Sequence, residues 1–263
     1  MKKASWFVVA VLAGLVASPS SYAATIGPDA FGYEATDEVT FNFTDISGTG
    51  TSTLDFSDDG TASGLLGFTF NFYGTDYASV GWSPNGLLTF GGLNGQFTNA
   101  DLTITAPGGD KPSIAVLWDD WRSFSGGADA VYYQTLGAPG SQEFIVQWNQ
   151  LSGFSSSPST VTFQASLFEG SNDILFSYLD VNSGNFRSNG ASSTVGIRDA
   201  GGQGNGENLQ WSFNSGIIND QDAIRFSTHL GENGGSPVVP EPGSLALMGL
   251  GLAGFGLRRR KIS

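Results

Sequence analysis

Residues 66–74, LGFTFNFYG, alternate ring and polar side chains: Phe68, Phe70 and Phe72 fall on one side of an extended backbone, Thr69 and Asn71 on the other. A period of two is the signature of a strand, and a helix would scatter the same rings around its circumference. The rhythm recurs along the chain. Phe144, Val146 and Trp148 alternate with Ile145 and Gln147, and Val161, Phe163, Ala165 and Leu167 alternate with Thr162, Gln164 and Ser166, which are expected to point outward. In SIAVLWDD (113–120), Ile114, Val116 and Trp118 share one face while Ala115 and Leu117 fill the other. Apolar residues on both faces read as a central strand covered on both sides. Further strands are expected at Val39–Thr44, Tyr77–Trp82, Leu87–Phe90, Ala130–Leu136, Asp173–Tyr178, Thr194–Arg198, Leu209–Phe213 and Ala223–Ser227.

Turn chemistry separates these runs. In WSPNGLL, Pro84 suits the first central position of a turn and Gly86 a positive φ. In FEGSNDILF, Gly170, Ser171 and Asn172 form a hairpin tip. No amphipathic helix of useful length is present. Many short strands with regular turns specify an all-β fold, here a single antiparallel β-sandwich domain over residues 24–235.

The 263 residues suffice for one large domain, and 38 of them are glycine, which agrees with a turn-rich chain. Between the two termini lie five basic residues against 23 acidic ones, a body charge of about −18. Such a body is repelled by phosphate backbones, so no nucleic-acid partner is expected. Cysteine is absent, which excludes disulfides and thiolate metal sites.

Both ends read as addresses. Lys2 and Lys3, an apolar run from Trp6 to Ala17, and Ser21-Tyr22-Ala23 form a signal peptide over residues 1–23, with cleavage between Ala23 and Ala24. At the other end, residues 236–263 hold Pro240-Glu241-Pro242, an uncharged segment at 244–257, and Arg258, Arg259, Arg260 and Lys261. The triplet cannot sit inside a helix. The uncharged segment, as a helix, would reach about 21 Å, short for a span and extended by snorkelling arginines. The basic cluster would stay cytoplasmic, with the body on the far side. In this order the three parts resemble the PEP-CTERM sorting signal of Gram-negative bacteria. The resemblance implies export, inner-membrane anchoring through a short transmembrane helix, and processing by an exosortase-like membrane enzyme. It places the sorting function on Pro240, Glu241, Pro242, Arg258, Arg259 and Arg260, and delivers the protein to the cell surface or the medium. An ordinary C-terminal anchor is the plainer alternative.

The run LGFTFNFYGTDYASVGWSPNGLLTFGG, followed by IAVLWDDW, VYYQTLG, FIVQWN, VTFQASLFEGSNDILFSY and STVGIRDAGG, resembles the nidogen-like module and related bacterial extracellular β domains. The resemblance implies a structural or adhesive module and brings no catalytic motif.

Candidate chemistry is sparse. His229, the only histidine, opens a Gly-rich linker, where no triad partner would hold it. Zinc motifs are absent. DAGGQGNGENL lacks the liganding Asp of the Gly-rich calcium repeat and reads as a flexible loop. WDDW is the most suggestive site. Asp119 and Asp120 end an apolar strand, repel each other, and invite Ca²⁺ or an arginine such as Arg122. Solvated acids at a strand end are the plain alternative, and a sugar-stacking platform of Trp121 and Tyr132 is another. No resident cofactor is called for beyond this candidate Ca²⁺. These observations point to an exported, non-catalytic surface or matrix protein, adhesive or structural within exopolysaccharide or biofilm. Its partners would be extracellular polysaccharide or other surface proteins. The alternative is a secreted carbohydrate-binding or carbohydrate-hydrolysing protein.

Overall fold

Strand follows strand through the residues that the computed structural model describes, 24–105, 109–124, 129–155 and 160–230. They are β1 (Thr25–Ile26), β2 (Glu34–Thr36), β3 (Thr51–Thr53), β4 (Ala62–Phe72), β5 (Thr75–Trp82), β6 (Leu87–Thr89), β7 (Ser113–Trp118), β8 (Trp121–Arg122), β9 (Ala130–Leu136), β10 (Glu143–Gly153), β11 (Thr160–Phe168), β12 (Ile174–Asp180), β13 (Thr194–Arg198), β14 (Asn208–Phe213) and β15 (Ala223–Ser227). A four-residue helical turn, α1 (Gly202–Asn205), and a 3-10 turn at Ser188–Gly190 are the helical elements among the described residues. The chain divides into two units, one running to Thr228 and one from His229 onward. Of the second, only His229 and Leu230 are described.

The strands form two antiparallel sheets. The larger has the order β1-β2-β15-β12-β11-β10-β9-β3, with β8 added to β10, and the smaller has the order β14-β13-β7-β6-β5-β4. Their apolar faces enclose one core. Phe68, Phe70 and Phe72 of β4 enter it, with Phe70 and Phe72 fully buried. From the other sheet come Phe144, Val146 and Trp148 of β10 and Val161, Phe163, Ala165 and Leu167 of β11. Trp148 stacks on Phe163 at 5.0 Å and donates its indole N–H to Ser83 O at 2.7 Å, so its one polar atom is satisfied. Each such ring contributes roughly 2–3 kcal/mol by leaving water.

Three expectations need correction. Val39–Thr44 is not a strand. It continues into an irregular strap that crosses the outer face of the larger sheet, held by side chains rather than by a backbone ladder. Ile46 N donates to Gln147 Oε1 at 2.8 Å, Thr44 N donates to Gln164 Oε1 at 3.1 Å, and Ser177 Oγ donates to Asn42 O at 2.7 Å. For the same reason Thr162, Gln164 and Ser166 do not face solvent: the strap covers that side of the sheet, and all three are buried. The third correction concerns β7, which is buried on both faces as expected, but with its last residues exchanged. Ala115 pairs with Gly196 and Trp118 with Thr194, so three steps on β7 match two on β13. This bulge resets the alternation. Leu117 therefore enters the main core, while Trp118 joins Leu87, Leu102 and Ala115 on the outer side.

The expected turns are present. Gly86 adopts φ +76°, and a Cβ there would lie 2.4 Å from Leu117 O, so only glycine lets the turn approach β7. The DAGGQGNGENL loop is ordered around α1, with Gly202 N donating to Asp199 O and Gly206 N to Gly202 O. Among the described residues no helix is long and apolar enough to cross a membrane.

Candidate functional site

The sequence contains two Asp–Asp pairs, Asp58–Asp59 and Asp119–Asp120, and the fold brings them together. β7 delivers Asp119 and Asp120 to one end of the sandwich, and the chain then turns into β8, where Trp121 pairs with Gly153 and Arg122 with Ser152. The loop carrying Asp58 and Asp59 is fixed by a reciprocal pair, Ser57 N to Ser123 Oγ and Ser123 N to Ser57 O, both 2.9 Å. Asn85, at the tip of the turn before β6, joins the two loops. Its amide donates to Asp59 Oδ1 at 3.0 Å and Gly95 O at 3.1 Å, its side-chain oxygen accepts Trp121 N at 2.9 Å, and its backbone carbonyl accepts Asp119 N at 3.2 Å. As a result, carboxylate oxygens of Asp58, Asp59 and Asp120 lie within 4.8 Å of one another.

The two aspartates that end β7 have different environments. Asp119 points inward and is 6% exposed. Its Oδ2 accepts the hydroxyls of Ser192 and Ser193, and its Oδ1 accepts Asp120 N. Arg187 stands beside both acids, with Nε 3.6 Å from Asp119 Oδ1 and Nη2 3.7 Å from Asp120 Oδ2. Burial pushes the Asp119 carboxyl above its ordinary value despite these partners. Burial also raises Asp120, where Arg187 acts against the shift and the neighbouring charges of Asp58, Asp59 and Asp119 add to it. Asp58 is raised by partial burial and by Asp59, opposed by Arg122.

This geometry revises the proposed site. Asp119 is occupied by two serines and an arginine, so Asp120 groups with Asp58 and Asp59 instead. The arginine paired with Asp119 and Asp120 is Arg187; Arg122 lies with its guanidinium over the rings of Phe124 and Phe154, at 4.0 and 4.8 Å. Three carboxylate oxygens at this spacing match the reach of a hard cation with ligands at about 2.4 Å. Asp58, Asp59, Asn85 and Arg187 are not among the residues expected from sequence, although the repeated Asp–Asp pair is a usable signal for the first two. Trp121 is fully buried and its indole N–H donates to Leu117 O at 2.8 Å, while Tyr132 is 7% exposed. Neither ring offers a face to a sugar, so that platform is withdrawn. Exposed rings at this end include Phe56, Phe154 and Phe186, the last 4.6 Å from the Arg187 guanidinium carbon.

The remaining candidates are distant in the chain. His229 is exposed and follows β15. Ala24 is described, whereas Ala23, Pro240, Glu241, Pro242, Arg258, Arg259 and Arg260 lie outside the described residues, as does the 244–257 segment.

Comparison with known proteins adds two matches. A family model described as NIDO related matches residues 32–233, and one described as the PEP-CTERM protein-sorting motif matches residues 238–261. No curated protein and no solved structure matches.

Proposed function

Since the chain belongs to the NIDO-related family and carries a PEP-CTERM sorting motif behind that domain, we propose that it is an exported, non-catalytic surface or matrix protein with an adhesive or structural role in extracellular polysaccharide. The sorting motif implies processing by an exosortase and export beyond the inner membrane. The observation that carries the reading is this pairing of an address for the outside with a domain whose candidate site is cross-braced by hydrogen bonds. Asn85 ties the two acidic loops together through four hydrogen bonds, and Asp119 is taken up by Ser192, Ser193 and Arg187. A general acid needs a carboxyl aimed at substrate, with a second whose pKa is pushed the other way. Asp58, Asp119 and Asp120 are all pushed the same way. The role proposed for Pro240, Glu241, Pro242 and the arginines of the tail is recognition by the sorting enzyme, after removal of the leader between Ala23 and Ala24.

The test is fractionation of the producing cells with intact-mass measurement. The expected outcome is protein outside the inner membrane, lacking residues beyond the Pro-Glu-Pro region, that co-purifies with extracellular polysaccharide and releases no reducing sugar from it. A full-length tail on membrane-bound protein would make it a simple anchored protein. Turnover of a glycan would favour the carbohydrate-hydrolysing alternative.

A further inference from the structure

Between Gly60 and Ala100 the chain carries one charged residue, Asp76, although its body is near −18. This stretch, uncharged apart from the exposed Asp76 near the start of β5, forms β4, β5 and β6, one wing of the smaller sheet. Its inner face is the core. Its outer face carries short side chains and glycine, with Ser63, Gly67, Thr69, Ala78 and Ser79 all exposed. From this flat ground rises Leu65, 75% exposed. A hollow of about 340 Å³ opens beside it over Gly67, Phe68, Thr69 and Ala78. A second hollow of about 230 Å³ adjoins along Ser63, Ser79, Gly81 and Gly92, rimmed by Leu93, itself 46% exposed.

We propose that this wing is a self-association face on which a second copy of the chain docks. Two observations select that occupant. First, knob and hollow lie on the same face, the condition for an isologous twofold contact in which Leu65 of each copy enters the hollow of the other. Second, the acid coat makes copies repel each other nearly everywhere else. Asp76 is the one acid on the wing itself, and charges farther from this face than about 8 Å are screened at physiological ionic strength, so here the copies approach at low coulombic cost. Lys111 donates to Leu93 O at 3.2 Å, on the rim of the second hollow. The edge of β4 itself is not the contact, because Thr135 Oγ1 donates to Leu66 O and Asn71 N donates to Asn172 Oδ1, which cap it. The contact is therefore face to face, apolar, and strengthened by salt, the reverse of an interface built on ion pairs.

Sedimentation velocity on the protein as recovered from the producing cells tests this. Wild type is expected to pass from monomer to dimer with rising concentration, more readily at 0.5 M than at 0.05 M NaCl. Leu65→Asp and Ala78→Lys are each expected to weaken dimerisation at least tenfold with an unchanged melting temperature, since both positions are exposed. Mixing the two variants is expected to restore a heterodimer through the new charge pair. Monomer at all concentrations, an association that Leu65→Asp leaves untouched, or a neutral polysaccharide that occupies this face while the protein stays monomeric would each overturn the proposal. None of these outcomes depends on where the protein is sorted.

Discussion

Asn85 donates its side-chain amide to Asp59 Oδ1 at 3.0 Å while fully buried, joining two loops twenty-six residues apart in the chain. The same side chain accepts Trp121 N, so it holds the strand that follows β7 as well as the loop before β4. Removing it takes three side-chain hydrogen bonds from a buried junction, leaving Trp121 N with Asp119 O alone at 3.1 Å and Gly95 O and Asp59 Oδ1 without their amide donor. Asn85→Ala is expected to cost about 2–4 kcal/mol. In a domain of this size that corresponds to a fall in melting temperature of roughly 5–12 °C, read by calorimetry. Asn85→Asp keeps the acceptor for Trp121 N but sets a carboxylate against Asp59, so it should be rescued at low pH as Asn85→Ala is not.

Arg187 is the cation facing Asp119, and breaking a buried pair leaves the remaining charge uncompensated. Arg187→Ala is expected to destabilise by about 3 kcal/mol, the lower end for such pairs, because Ser192, Ser193 and Asp120 N continue to solvate the carboxylate. The deficit should shrink as pH falls, since a protonated Asp119 no longer needs the arginine. A deficit that stays constant across the whole acid limb of urea titrations would mean that Arg187 acts by packing against Trp121 and Phe186 instead.

The raised carboxyls set the pH profile. Asp58, Asp119 and Asp120 all have folded values above 3.8, the unfolded reference. The folded state therefore takes up protons before the unfolded one, and stability rises as pH drops through the folded values. At neutral pH both states are ionised and the full cost of the crowded charges remains. Asp45 and Asp110 are shifted the other way, Asp45 chiefly by the Gln147 hydrogen bond and Asp110 chiefly by Gly201 N, so their contribution is lost below 3.8. The melting temperature is expected to rise as pH falls from neutral through the folded values of the raised carboxyls, and the rise to be offset in part below 3.8 as Asp45 and Asp110 protonate. Asp120→Asn should flatten this rise.

The strap over the larger sheet depends on glutamines. Gln147 is fully buried, accepts Ile46 N and donates to Asp45 Oδ1 and Asn149 Oδ1. Gln147→Leu preserves volume but strands the Ile46 N–H. It is expected to cost about 1–3 kcal/mol and to raise hydrogen exchange selectively across residues 42–50 while β10 stays protected.

These cases also mark what the residues disclose before folding. The strands whose faces differ, such as β4 with its three Phe residues, are legible because burial on one side and solvent on the other imposes a period of two. Gln147, Gln164 and Ser166 kept that period yet misled, because polar side chains that bind a strap look the same in sequence as polar side chains that bind water. Trp118 misled for another reason: a bulge opposite Gly196 shifts parity, and nothing in SIAVLWDD announces it. The site was half legible. Asp119 and Asp120 stood out as an adjacent pair, but their separation into one buried acid and one member of a three-carboxylate group depends on a loop sixty residues earlier and on Arg187, sixty-seven residues later. The short strands β1, β2 and β3, of which β1 and β3 are sheet edges, are too brief to carry a periodic signal.

The N-terminus supplies the last prediction. Ala24 N donates to Asp37 Oδ1 at 2.7 Å, while Asp37 N returns a bond to Ala24 O at 3.2 Å, and this pair extends the β1–β2 ladder by one residue. If the leader is removed between Ala23 and Ala24, the same nitrogen becomes an α-ammonium placed against a carboxylate. A hydrogen bond charged on its acceptor side alone is thereby converted into an ion pair, a gain of about 0.5–1 kcal/mol at a half-buried site. Export and anchoring of β1 are then coupled: the edge contact already present in the uncut chain is strengthened once it is cut. N-terminal sequencing of exported protein should read Ala24 first. Protein beginning at Ala24 should melt about 1–4 °C above the same protein carrying a two-residue extension. Asp37→Asn should abolish that difference by lowering the processed form and leaving the extended one nearly unchanged. Equal stability of the processed and extended forms would show that the ammonium stays in solvent, and an N-terminus other than Ala24 would move the cleavage point away from Asp37 altogether.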